Sequence, residues 1–274
     1  MPLTPPYPPL SEFVAAIGEA GRRLSEISAS EGAAGNISAY FGWEVPVSEI
    51  FPEVEPFALP APIPELAGGT IIATGSGRRL REVYQSPEAN LGAVTISADG
   101  ASAVIRTSQK RLFARLTSEF NSHLAVHRAR VAEEKTAFHA LVHAQPVHLT
   151  YLSHISRYQD DLYLNQHILR WEPEGICQIP AGVGFIPFAV PGSDELMQAN
   201  IAKLRTHKIV LWAKHGVMAR SDTSVKKACD LIEYAETGAL YEYLNLTNHG
   251  LAEGLSHEEL QRVCKAFGVE QSIF

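Results

Sequence analysis

The chain has 274 residues, 46% of them apolar and 19% charged, a balance that excludes an intrinsically disordered protein. Lys plus Arg total 23 against 30 Asp plus Glu, and the net charge of −7 argues against nucleic acid as the main partner. Three scattered cysteines exclude a disulfide framework, and no run of 18 apolar residues is present to cross a bilayer. The N-terminus has no basic stretch leading into an apolar one, so the expectation is a cytoplasmic protein with no membrane partner.

Five prolines in the first ten residues predict an extended arm over 1–10, ahead of a single domain over 11–274. Ser11 and Glu12 open a helical pattern carrying Phe13, Val14, Ile17, Leu24 and Ile27. The stretch from Gly32 to Gly35 stops it, and 36–40 reads as a strand. Residues 44–64, rich in proline and carboxylates, are expected to be an ordered excursion without repetitive structure, because Phe51, Phe57 and Leu59 need burial. Strands follow at 70–73, 93–96 and 103–105. Thr74-Gly75-Ser76-Gly77 forms a glycine turn after the first, and Asp99-Gly100 a hairpin turn between the other two. A helix is predicted over 118–133 from a Thr117-Ser118 cap, then strands at 137–142 and 176–179. Ser193-Asp194-Glu195 opens a helix over 193–206. Strands at 208–212 and 216–219, a long helix over 224–246 and a last helix from Ser256 complete the pattern. Strands alternating with helices predict a layered α/β/α fold around one sheet.

Eleven histidines are present. His123 and His127 stand one turn apart on a predicted helix, but with no third ligand and no HExxH pattern they read as a surface pair. His139, His154, His167, His207, His249 and His257 read as structural or exposed. His143 and His215 differ, because each ends or follows an apolar strand, where crevices form in layered α/β folds. Imidazoles there suit a divalent transition metal, and two satisfied rim histidines are the alternative. Thr117-Ser118-Glu119 is either a simple helix cap or, through the same hydroxyls and amides, an anion site. Thr74-Gly75-Ser76-Gly77 is no P-loop, yet a glycine turn after a buried strand can present N–H groups to phosphate.

In order along the chain, Gly35-Asn36-Ile37-Ser38, Thr74-Gly75-Ser76-Gly77, Thr117-Ser118-Glu119, His143 and Lys214-His215-Gly216-Val217 resemble the class II aldolase/adducin family. Pro87-Glu88-Ala89-Asn90-Leu91-Gly92, Gly182-Val183-Gly184-Phe185-Ile186-Pro187 and Val190-Pro191-Gly192-Ser193-Asp194-Glu195 extend the resemblance over about residues 12–269. It implies a three-layer α/β/α sandwich with a mixed, mainly antiparallel sheet, assembled as a cyclic homotetramer. It also implies that Asn36, Ser76, Gly77, Thr117 and Ser118 hold a substrate phosphate and that His143 and His215 bind Zn2+, or another divalent metal such as Co2+ or Mn2+. Glu119 would carry a proton at the carbon of the dihydroxyacetone-phosphate half. Glu174 would be a second acid at the C4 hydroxyl, with Glu172 as competitor. The implied reaction is cleavage of a ketose 1-phosphate, L-rhamnulose 1-phosphate being the candidate, into dihydroxyacetone phosphate and a hydroxyaldehyde, L-lactaldehyde.

One departure stands out. The family carries HxH where this chain reads His143-Ala144-Gln145, so Gln145 takes the second ligand position, on the same side of a strand as His143. An amide oxygen is a poorer zinc ligand than imidazole, which predicts weaker binding or a different metal, and His148 is the substitute if the chain turns after Pro146. The same fold also serves epimerases, dehydratases and other aldolases, as well as non-catalytic adducin-like modules, which would bind no metal.

Overall fold

The computed structural model describes residues 3–274. In chain order its elements are α1 (Leu10–Glu26), β1 (Asn36–Phe41), β2 (Glu53–Phe57), β3 (Thr70–Thr74), the short α2 (Leu80–Val83) and α3 (Pro87–Asn90), β4 (Leu91–Ile96), β5 (Ala103–Thr107), α4 (Phe120–Glu134) and β6 (Phe138–Ala144). The second half runs α5 (Val147–Leu152), α6 (Asp161–Ile168), α7 (Pro173–Gln178), β7 (Gly184–Ile186), α8 (Asp194–Leu204), β8 (Ile209–Trp212), β9 (Gly216–Ser221), α9 (Val225–Thr247) and α10 (His257–Phe267). The strands form one sheet in the order β2-β5-β4-β3-β1-β6-β9-β8-β7. Every pairing is antiparallel except the last, where β7 runs parallel to β8.

Successive side chains of a strand point to opposite faces, and here both faces are covered. Ile37, Ala39 and Phe41 of β1 pack with Phe138, Ala140 and Val142 of β6 against α1 and α9, through Phe13, Ile17, Ile232 and Ala235. On the other face Tyr40 meets Leu124 and Val131 of α4, and Leu141 meets Val126 and Leu196. This double burial is why the central strands read as apolar runs. Three helices start where hydroxyl caps are encoded: Ser193, Ser224 and Ser256 accept from the amides of Leu196, Lys227 and Glu259. No helix among the described residues is long and apolar enough to cross a membrane.

Three readings change. Residues 176–179, read as a strand, are the last turn and C-cap of α7, whose first position is Pro173; a four-residue apolar run carries no usable period, and proline at a helix start was the better signal. The excursion 44–64 contains a strand, β2, on the sheet edge beside β5, where Pro56 costs no ladder bond. Helix α4 has no hydroxyl cap of the expected kind. Glu119 holds its cap position, and the carboxylate makes no bond to the helix amides. The proline-rich arm is tied down by Tyr7, which stacks on Trp43 with ring centroids 3.8 Å apart. Met1 and Pro2, also assigned to that arm, lie outside the described residues.

Candidate active site

Three neighbouring strands and one helix start converge at a single point. The β1–β6 register sets Asn36 opposite His143, and the β6–β9 register sets His143 opposite Met218. His215 lies in the tight connection from β8 to β9, entered through Lys214 with φ +61°. Gly216 is required there: a Cβ would come 2.4 Å from the Ala144 carbonyl oxygen and 3.2 Å from His143 Cε1. Trp212 packs against both imidazoles, with its ring centroid 4.5 Å from His143 and 5.0 Å from His215, and its indole N–H donates to Asn200 Oδ1.

From the opposite side, the segment before α4 crosses the end of β3. Gly75 bridges to Leu116, Ser76 N donates to Arg115 O (2.8 Å) and Thr117 N donates to Thr74 O (3.0 Å). The approach is close enough that a Cβ on Gly75 would fall 2.2 Å from Phe113 Cγ. The glycine turn and Thr117-Ser118-Glu119, distant in sequence, therefore lie edge to edge. Gly77 (φ +72°) and Ser118 are exposed, and their amide N–H groups make no hydrogen bond among the described residues.

Glu119 is buried, and its Oε2 accepts from Asn36 Nδ2 at 2.8 Å. The same oxygen is 3.6 Å from His143 Nε2, while Oε1 is 4.0 Å from His215 Nε2. His143 Nδ1 donates to the Val217 carbonyl at 2.8 Å, so in the neutral ring Nε2 carries the lone pair. Burial pushes His215 down to about 4, helped by His143 and opposed by Glu119. Burial alone would raise the Glu119 carboxyl, but His143, the Asn36 amide, His123 and His215 together hold it below its ordinary range. With both rings neutral, the carboxylate would face imidazole lone pairs, one ligand atom from each of Glu119, His143 and His215 lying within 4.8 Å of the others. Acceptors held this close repel unless a cation or proton lies between them, and two neutral imidazoles with a carboxylate suit a divalent transition metal.

Gln145 lines a cleft of about 540 Å³ together with His215, Ser30, Thr150, Tyr151 and His154, so it borders the same site. His148 is committed elsewhere: its Nδ1 and backbone N–H both bond Glu236 Oε1 (2.7 and 3.0 Å), and it is not part of the ligand group. Glu174 stands exposed in the first turn of α7, Glu172 occupies the N-cap position without a side-chain bond to that turn, and neither joins the group at Glu119. Burial raises the Glu172 carboxyl, and neighbouring Glu174 adds to it.

His123 and His127, read as a surface pair, are fully buried, as is His139. The signal was present in the helical spacing. Phe120, His123, Leu124, His127 and Val131 form one i, i+3, i+4 stripe, so both histidines fall on the core face. Burial pushes His123 down to about 4 and His139 to about 3, with His127 also well below its ordinary value.

The Class II Aldolase and Adducin N-terminal domain profile matches residues 15–243. The rhamnulose-1-phosphate aldolase of Enterobacter sp. (strain 638) is 32% identical over 212 residues, covering 77% of this chain and 76% of that protein. Its counterpart in Klebsiella pneumoniae (strain 342) is 33% identical over 215 residues, covering 78% and 76%. Among solved structures, a sugar-phosphate aldolase from Thermotoga maritima superposes with TM-score 0.73 at 26% identity, over 87% of this chain and 97% of that one. An L-fuculose-1-phosphate aldolase from Thermus thermophilus shares the fold, with TM-score 0.56 at 19% identity over 89% of this chain and 100% of that one. With matches of this extent around a site of this composition, the chain belongs to the class II aldolase and adducin family and is a class II aldolase, a carbon–carbon lyase.

Proposed function

We propose that the protein cleaves the C3–C4 bond of a ketose 1-phosphate, with L-rhamnulose 1-phosphate as first candidate, to give dihydroxyacetone phosphate and L-lactaldehyde. The observation that carries this reading is the Glu119–His143–His215 triangle placed beside a loop edge rich in free donors. Gly77 and Ser118 N–H, with the hydroxyls of Ser76, Thr117 and Ser118, can hold a phosphate without a net positive pocket. Asn36 borders this edge but already spends one amide proton on Glu119.

His143 and His215 would hold the metal, with Glu119 or the Gln145 amide oxygen as further ligand. When bound, a divalent cation there supplies Lewis-acid stabilisation of negative charge on substrate oxygens. Zinc, cobalt and manganese are the candidates, and Gln145 favours the less imidazole-demanding choices. Glu119, held ionised, takes a proton from C3 of dihydroxyacetone phosphate in the condensation direction and returns it in cleavage. In cleavage the C4 hydroxyl loses its proton, the C3–C4 electron pair stays with the ketone half, and the aldehyde leaves. Glu174, or its competitor Glu172, is the proposed acceptor for the C4 proton. A cytoplasmic homotetramer is the proposed setting.

The test is release of dihydroxyacetone phosphate from L-rhamnulose 1-phosphate, with added zinc, cobalt or manganese and again with chelator. Metal-dependent release supports the reading. No release with any metal transfers the proposal to another sugar phosphate on the same site.

A further inference from the structure

The buried histidines of α4 and β6 are connected to Glu119. Ser38 Oγ lies 2.6 Å from His123 Nδ1 and 2.7 Å from His127 Nε2, and His127 Nδ1 lies 2.8 Å from His139 Nδ1. His123 Nε2 bonds Asn36 Oδ1, and Asn36 Nδ2 donates to Glu119. All are buried, and His139 Nε2 has no partner among the described residues.

We propose that His123, Ser38, His127 and His139 are positioning residues that, through Asn36, hold the Glu119 carboxylate toward the His143–His215 pair. The inference rests on Glu119 being the proton-carrying group of the aldolase reading.

The argument is one of donor and acceptor direction. An ionised carboxylate only accepts, so Asn36 must turn its NH2 to Glu119 and its carbonyl oxygen to His123. His123 must then donate from Nε2 and accept at Nδ1. The Ser38 hydroxyl must donate to that nitrogen, which leaves its oxygen to accept from His127 Nε2–H. His127 Nδ1 is then an acceptor, and His139 must carry its proton on Nδ1. Every tautomer follows from the single charge at the end, and every donor points toward it. Run backwards, the chain would set the Asn36 oxygen against the carboxylate and leave a buried N–H orphaned on His139. The chain also cannot conduct protons, because the Asn36 amide has none to pass on without tautomerising. It orients, and does not relay.

Ring 15N spectra of the assembled, isotope-labelled protein at pH 7 test the pattern directly. Neutral rings protonated at Nε2 in His123 and His127 and at Nδ1 in His139 support the proposal. A His123 ring protonated at Nδ1, or charged, overturns it. Kinetics test the role: His123→Leu should lower kcat about tenfold or more with KM within about twofold, and His123→Gln, whose amide can donate to Asn36, should recover most of the loss. Equal impairment of the two variants, or a rise in KM at constant kcat, overturns positioning. Should a variant fail to fold, the ring-proton pattern of the unaltered protein decides. Absence of turnover in the unaltered protein counts against the aldolase reading and leaves that pattern to decide the chain.

Discussion

His143 Nε2 faces Glu119 Oε2 at 3.6 Å while its Nδ1–H is given to the Val217 carbonyl, so the neutral ring would set acceptor against acceptor. A pair arranged this way gains from a cation or a moving proton, and each prediction below tests one side of that balance.

Glu119→Gln keeps the shape and the acceptor for Asn36 but removes the base. Turnover should fall by about 10²–10⁴-fold in protein whose metal content, checked by elemental analysis, has been restored to that of the unaltered chain. An unaffected kcat would remove Glu119 from the chemistry.

Stripping metal with chelator should lower both activity and melting temperature, and adding metal back should restore both. Saturation at about 100 times Kd stabilises by about 2.7 kcal/mol. Gln145→His should tighten zinc binding by about tenfold, about 1.4 kcal/mol, in competition titration. No gain in affinity would place Gln145 outside the coordination shell.

Acid should destabilise the fold early. His123 and His139 are held at about 4 and about 3 in the folded chain, against an ordinary value of 6.5 when unfolded. Between pH 6.5 and about 4 the unfolded state therefore binds more protons, and stability is full above pH 6.5 and lost as pH falls. Each ring contributes a slope of about 1.4 kcal/mol per pH unit inside that window. Glu119 and Asp222, both held below their ordinary range, lose stability in the same direction. Urea midpoints at pH 7.5, 6 and 5 measure this, and a flat series would mean the rings charge without unfolding.

Gly216→Ala should damage the site more than the fold. The added methyl meets the Ala144 carbonyl at 2.4 Å and the edge of His143 at 3.2 Å, so the strand ends must part. A stability loss of about 1–3 kcal/mol with activity down about 100-fold is expected, read from melting temperature and kcat on the same sample. Unchanged kcat would show that the two strand ends yield freely.

Much of this architecture was legible in the sequence. The central strands announced themselves as apolar runs because both faces are covered, and Ser193, Ser224 and Ser256 marked helix starts because hydroxyl caps are local chemistry. Glu119, His143 and His215 were singled out by position and do come together. What stayed hidden depended on distant partners. The helical spacing put His123 and His127 on the core face, but their partners Ser38 and Asn36 lie on a distant strand, and the diversion of His148 needs Glu236, 88 residues away. The edge strand β2 borrows its pairing from β5, so its own alternation of carboxylates and apolar residues, broken by Pro56, had little to declare.

That edge strand has a consequence for crowded solutions. An open sheet edge is a template for another chain to add to, the usual start of aggregation. Here one edge carries Pro56 with Glu53 and Glu55, and the other, β7, spans only Gly184–Ile186. Neither margin offers a long, uncharged row of free donors and acceptors. Copies that meet are therefore discouraged from fusing into a continuous sheet, and association is left to helices and loops, where it can close on a finite number of chains.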